Sequence, residues 1–289
     1  MTPGLRVYLN LMSLEDLPAW SAAPVTREPL PLLTAIREAG YEGVQFIGPV
    51  TAAEQAACEQ LGLGKCGLGR VNRPEDAPVL ARRFRDEGLE CGTLHVGWGL
   101  EDDDEAVRLI DAVLAASQES AVPLYVETHR ATIFQDIFRT VKLVKERPEL
   151  RLNGDFSHWY TGLEMVYGGF ESKLEYIAPV LERVRFLHGR IGNPGCIQVD
   201  IGDGDPAAHP YVTHFEKLWK ACFRAFLDTA EAGGQFLFVP ELLSPRIYYG
   251  RLLAPGREEE SDRWQQSLVL ARLARQWFAE VQSGKAKAT

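Results

Sequence analysis

Short apolar runs alternate along the chain with longer stretches in which apolar residues recur every third or fourth position. The runs suit buried strands, and the stretches suit helices with one apolar face. Strands are expected over residues 6–12, 43–48, 65–70, 90–97, 124–128, 152–156, 184–188 and 235–243. Helices are expected over 30–39, 51–61, 74–87, 104–119, 133–146, 173–183, 215–232 and 258–281, with 282–289 as a frayed tail. Start and stop signals agree with this division. Gly40 and Gly88 follow two helical stretches, Thr51 stands in a capping position, Pro74 opens a helix, and Asp104 and Glu105 begin another.

Eight strand–helix alternations imply parallel strands joined by crossover helices. Eight such units fit a closed barrel better than an open sheet, and 289 residues exceed the roughly 250 that such a barrel needs. No Pro/Gly/Ser linker and no low-complexity segment divides the chain. The expectation is therefore α/β, a single (β/α)8 TIM barrel domain over residues 1–289. One connection is abnormal: residues 189–214 contain five glycines, three prolines and no clear helical pattern. A connection of that length in a compact domain is expected to be a lid or a binding loop.

A barrel changes how the polar residues read. Four consecutive strands end in Leu124-Tyr125-Val126-Glu127, Leu152-Asn153-Gly154-Asp155, Arg185-Phe186-Leu187-His188 and Phe238-Val239-Pro240-Glu241. Each ends in a side chain able to bind a metal, and a carboxylate at the end of a buried strand is costly unless paired or metal-bound. Successive strand ends are neighbours around the C-terminal rim, where barrel active sites lie. Glu127, Asp155, His188 and Glu241 are thus expected to share one divalent ion. Three carboxylates and a neutral imidazole carry charge −3, and mostly oxygen donors with one nitrogen suit Mn, Mg, Co or Zn. No cysteine belongs to the set, which argues against structural zinc.

Further residues stand near the quartet. His158 follows Asp155 by three positions and Arg190 follows His188 by two, and both are candidates for binding substrate hydroxyl, carboxylate or phosphate groups. His95 ends its strand facing either the mouth or the core. His129 and Arg130 follow Glu127 as supporting or ordinary loop residues. Trp98, Trp159 and Tyr160 follow strand ends, where aromatics either wall a sugar pocket or pack. Phosphate has candidate partners in residues 189–195 and in Arg246, which would equally serve an unphosphorylated substrate.

Together, Val126-Glu127-Thr128-His129-Arg130, Asp155-Phe156-Ser157-His158, His188-Gly189-Arg190 and Pro240-Glu241 resemble the sugar phosphate isomerase/epimerase superfamily of xylose isomerase-like barrels. The resemblance covers the chain from the second strand onward. That superfamily includes tagatose 3-epimerases, hydroxypyruvate isomerases, inosose dehydratases and endonuclease IV. The resemblance implies that Glu127, Asp155, His188 and Glu241 ligate one metal and that His158 and Arg190 contact substrate. Many members place the arginine further beyond the histidine. Ile133 stands where many carry a second glutamate, which separates this chain from the ketose 3-epimerases.

The expected activity is a metal-dependent isomerase or epimerase acting on a small sugar, ketose or related hydroxy-carbonyl compound through an enediolate. Glu127 and Glu241 would exchange the carbon-bound proton, with His95 among the substrate-binding residues. An inosose-type dehydratase would use the same parts, with His158 expelling hydroxide. A non-catalytic sugar-binding barrel would not need the paired glutamates. An endonuclease IV-like phosphodiesterase would need more histidines than the six present, and the formal net charge of −9 repels nucleic acid. Five cysteines without a C-x-x-C pair suggest free thiols in a reducing compartment. With no apolar run near the roughly 20 residues of a membrane span, a cytoplasmic protein without a membrane partner is expected. Trp264, Trp277 and Phe278 on the last helix offer an apolar face to the barrel or to a second copy in a homo-oligomer.

Overall fold

The computed structural model describes residues 2–24, 26–255 and 257–286. Its eight main strands are β1 (Gly4–Asn10), β2 (Gly43–Phe46), β3 (Gly64–Val71), β4 (Cys91–Val96), β5 (Leu124–Glu127), β6 (Leu152–Gly154), β7 (Val184–Gly189) and β8 (Gln235–Pro240). They pair in parallel in chain order, and β8 pairs back onto β1, so the sheet closes as a (β/α)8 TIM barrel. A short antiparallel hairpin, β9 (Leu252–Leu253) and β10 (Glu258–Glu259), lies in the connection after β8.

The surrounding helices are α1 (Pro29–Glu38), α2 (Ala52–Leu61), α3 (Asp76–Asp86), α4 (Asp103–Ser120), α5 (Ile137–Glu146), α6 (Phe156–Gly162), α7 (Phe170–Tyr176), α8 (Ala178–Leu181), α9 (Tyr211–Thr229) and α10 (Arg263–Ala286). Local chemistry fixes several boundaries. Thr51 caps α2 through a reciprocal pair with Glu54, and Asp102 caps α4 in the same way with Glu105.

Two apolar layers result. One lies between the helices and the sheet. The other fills the barrel with Tyr8, Cys66, Cys91, Phe186, Leu237 and Val239, against which Tyr125 packs. The inner layer depends on glycine. A Cβ on Gly64 would stand 1.9 Å from the Tyr8 hydroxyl, and one on Gly43 would stand 2.6 Å from the Tyr8 ring. Small residues on β2 and β3 are therefore what admit a tyrosine at this level of the barrel.

Several expectations are corrected. The helix expected from residue 133 begins at Ile137, because Asp136 caps it by accepting from Arg139 N at 2.8 Å. Ile133 and Phe134 turn into the core instead. The strand expected to reach residue 156 ends at Gly154, because the Asp155 carboxylate accepts from Ser157 N and starts α6. The helix expected over 173–183 is two helices meeting at Ile177, where Pro179, lacking an N–H, cannot continue the hydrogen-bond ladder of α7. Residues 258–259 belong to the hairpin, and the last helix starts only at Arg263. It continues through Ala286, so residues 282–286 are helical where a frayed tail was expected. Residues 287–289 lie outside the described residues.

The long connection after β7 reaches α9 without a helix. It is nevertheless fastened: Gln198 pairs through both side-chain ends with the backbone of Leu243, at 2.8 and 3.1 Å, and Ile191 and Ile201 are buried.

Candidate metal centre

Strand register sets the rim. Asn10 stands beside Gln45, Arg70 beside His95, Glu127 beside Asn153, and His188 beside Val239. Glu127, Asp155, His188 and Glu241 come from four neighbouring strand ends, and each offers a donor atom lying within 4.8 Å of the others'. All four are buried. The donor set is three carboxylates and one imidazole, and Glu127 Oε1 is buried with no hydrogen-bond partner. A buried acceptor left open in such a cluster fits a cation, and so the residues present could hold a metal ion.

His188 is aimed by its neighbours. Its Nε2 lies 3.0 Å from Gln45 Oε1, while its Nδ1 faces Glu127 Oε2 at 3.3 Å and Glu241 Oε2 at 3.6 Å. Burial disfavours its protonated form, but the carboxylates of Glu241 and Glu127 outweigh this and raise its pKa to about 9. The Glu127 carboxyl is held well below the usual range. Burial opposes that direction, and His188 and His95 overcome it.

A second cation already stands in the cluster. Arg190, 1% exposed, directs Nη2 to both Asp155 Oδ2 and Glu241 Oε2, the latter at 2.7 Å. Its Nε donates to Ser157 Oγ at 3.1 Å. Arg190 was expected near the site as a substrate contact; it stands between two of the candidate ligands, as their internal counter-charge.

The histidines form an array beside Glu127. His95 Nε2 lies 3.3 Å from Glu127 Oε2, and the His129 ring lies between those of His95 and His158, tilted against both, at centroid distances of 4.1 and 3.8 Å. His95 therefore faces the mouth rather than the core. Burial, together with His158, lowers the His129 pKa to about 2, so this ring is neutral. Among the described residues His158 has no hydrogen-bond partner on either ring nitrogen, and its Nε2 lies 3.4 Å from Asp155 Oδ2. The array is roofed by Tyr249, whose hydroxyl lies 3.2 Å from His129 Nε2 and whose ring lies under the guanidinium groups of Arg130 and Arg190.

Not every candidate reaches the site. Trp159 is fully buried and donates to Phe134 O at 2.9 Å, and Tyr160 pairs with His214 at 2.7 Å, so both pack rather than wall a pocket. Trp98 is exposed on the rim with Arg70 stacked 4.0 Å above its ring. Arg246 is exposed and paired with Asp16 at 3.1 Å.

Sequence reasoning missed three amides. Asn153 Nδ2 lies 3.1 Å from Glu127 Oε2 and 3.0 Å from His188 Nδ1, and its Oδ1 accepts from His188 N at 3.0 Å. Asn10 Nδ2 donates to Gln45 Oε1 at 2.9 Å and to Glu241 Oε1 at 3.0 Å. Gln45 completes the chain to His188. Each is a buried polar residue in or at the end of a mostly apolar strand, which is the signal that could have found them.

Solved structures share this architecture. A xylose isomerase-like TIM barrel protein from Mycobacterium smegmatis, solved in complex with magnesium, superposes with a TM-score of 0.58 at 14% identity, covering 96% of this chain and 97% of that one. What the two share is the closed (β/α)8 barrel. A sugar phosphate isomerase/epimerase from Parabacteroides distasonis gives a TM-score of 0.53 at 11% identity, with 95% and 94% of the two chains covered. A probable 3-DHS dehydratase from Bacillus anthracis gives 0.50 at 13% identity, with 83% and 92% covered. At these identities the likeness is one of fold. No protein-family model and no curated protein matches the sequence. Among the described residues, no helix is long and apolar enough to cross a membrane.

Proposed function

We propose that the protein is an isomerase or epimerase that binds one divalent metal ion and moves a carbon-bound proton of a small sugar or related hydroxy-carbonyl compound. The observation that carries this reading is the convergence of Glu127, Asp155, His188 and Glu241, with donor atoms within 4.8 Å of one another at the C-terminal mouth. Magnesium is the ion in the Mycobacterium smegmatis barrel, and the oxygen-rich donor set suits Mn, Mg, Co or Zn. Bound there, such an ion polarises a carbonyl and its neighbouring hydroxyl and acidifies the adjacent C–H.

The chain's own groups supply the rest. His188 would present Nδ1 to such an ion and give up a proton there, its ring held by Gln45 Oε1 at Nε2 and its backbone N–H by Asn153 Oδ1. Arg190 releases one carboxylate and turns its guanidinium to a substrate oxygen. Glu127 and Glu241, from β5 and the end of β8, approach the substrate carbon from two sides, one removing the proton and the other returning it. His158, with both nitrogens open, accepts or donates a hydrogen bond to a substrate hydroxyl. His95 supports Glu127.

A dehydratase would need His158 to arrive protonated. Burial lowers its pKa against the pull of Asp155, which disfavours the protonated ring. The test is exchange of substrate carbon protons with solvent deuterium across a panel of ketoses and aldoses with added Mn²⁺. Exchange without loss of water supports the reading, and unchanged exchange in Glu241→Gln refutes the role given to Glu241.

A further inference from the structure

The opposite end of the barrel holds a different concentration of charge. At the N-terminal ends of β6 and β7, Arg151, Arg183, Arg185 and Arg224 line one cleft of roughly 490 Å³ between α8 and α9. Residue 183 precedes residue 188 by five positions along β7, so the cleft and the candidate metal centre are separated by about 16 Å of extended strand.

The chain carries a net charge of −9, yet these four arginines line one cleft without carboxylate partners among the described residues. Among the described residues, none of them forms an ion pair. Arg151 and Arg185 donate only to neutral groups: Pro148 O and Leu150 O for the first, Glu182 O, Val184 O and Thr229 Oγ1 for the second. Among the described residues, Arg183 and Arg224 have no side-chain hydrogen-bond partner, and Arg183 Nε is buried without an acceptor. Two carboxylates also border the cleft. Asp228 is engaged by Lys285 at 2.8 Å, and among the described residues the Glu182 carboxylate forms no ion pair with any of the four. The guanidinium groups act on one another: burial and then Arg183 lower the pKa of Arg151, and burial and then Arg151 lower that of Arg185.

Four like charges around a cleft with open donors describe a site for an oxyanion, since guanidinium forks bind phosphate in charge-assisted, bidentate fashion. The cleft is much larger than a phosphate ion. An apolar part of its wall is formed by Ala178, Leu181, Ala221 and Ala225. We propose that this cleft binds a small organic phosphate, its phosphoryl group between Arg183 and Arg224 and its carbon portion on the alanine wall, as a site separate from the candidate metal centre.

The experiment is calorimetric titration of the full chain with glycerol phosphate, phenyl phosphate and inorganic phosphate, each at fixed ionic strength, alongside Arg183→Gln/Arg224→Gln. Native protein should bind phenyl phosphate saturably at about millimolar concentration or tighter and inorganic phosphate more weakly, and the double variant should bind at least about tenfold less tightly. Arg108→Gln, which removes an exposed arginine on α4 outside the cleft, should bind like the native protein. In phosphate-free, low-salt buffer the double variant should melt no lower than native protein, because substitution relieves like-charge repulsion, whereas arginines that only stabilise the fold would lower the melting temperature when removed. Equal affinity in native and double-variant protein, or no saturable binding by any of the three phosphates, overturns the proposal. Inorganic phosphate binding as tightly as phenyl phosphate overturns the assignment of the alanine wall.

Discussion

Removing Arg190 should show how the carboxylate cluster is balanced. In Arg190→Met the apolar stem is kept, but the guanidinium that joins Asp155 to Glu241 and reaches Ser157 is lost. Three buried carboxylates then face one another with His188 as the nearest full positive charge. Removing one partner of a buried ion pair costs about 3–5 kcal/mol. For a chain of this size that lowers Tm by roughly 6–10 °C. The loss should appear in full with chelator present. Manganese at about 100 times its Kd contributes about 2.7 kcal/mol to any state that binds it, and the variant should gain more from the ion than native protein does, because no guanidinium competes for Asp155 and Glu241. Thermal and urea unfolding with EDTA and with Mn²⁺ measure both effects. A variant within about 1 kcal/mol of native protein in EDTA, or one that gains no more from manganese than native protein, would refute the idea that Arg190 is the internal counter-charge.

Other consequences follow from the same geometry. Asn153→Leu removes the amide that orients His188 and Glu127, and metal affinity should fall about 10- to 100-fold with far-UV circular dichroism unchanged; unchanged affinity would make Asn153 a packing residue. Because the metal-free His188 pKa is raised to about 9, an incoming ion displaces a proton from it below that pH. Metal affinity should therefore climb about tenfold per pH unit from 7 toward 9 and then level off, and calorimetry in buffers of different ionisation enthalpy should report the released proton. The contribution of His188 to metal-free stability has the opposite sense: it is fully present below pH 6.5 and is lost as pH rises through 9. Gly64→Ala drives a methyl group into the Tyr8 hydroxyl and should cost about 1–3 kcal/mol in urea unfolding, while the double change Gly64→Ala/Tyr8→Phe should recover part of it.

The barrel was legible because each strand is a short apolar run and each crossover has helical periodicity. Even the weak runs at β1 and β3 take their places, since closure gives every strand two partners. Boundaries failed where a side chain or a proline intervenes: Asp136 and Asp155 reset helix starts, and Pro179 divides a helix. The quartet was legible because a charge or imidazole at a buried strand end stands out against apolar neighbours. Asn10, Gln45 and Asn153 carry no charge, and their partners lie 231, 143 and 26 positions away, distances at which only strand register shows the contact. Tyr249 and the double contact of Arg190 depend on how the connections after β7 and β8 fold over the mouth, which no local pattern encodes.

The central claim is that four strand ends hold one ion, and the direct measurement is the number of manganese ions bound per chain at equilibrium. Native protein should bind one per chain, and Glu127→Ala/Glu241→Ala should bind none at the same free concentration while keeping its circular dichroism spectrum. A double variant that retains one ion with native affinity would contradict the account.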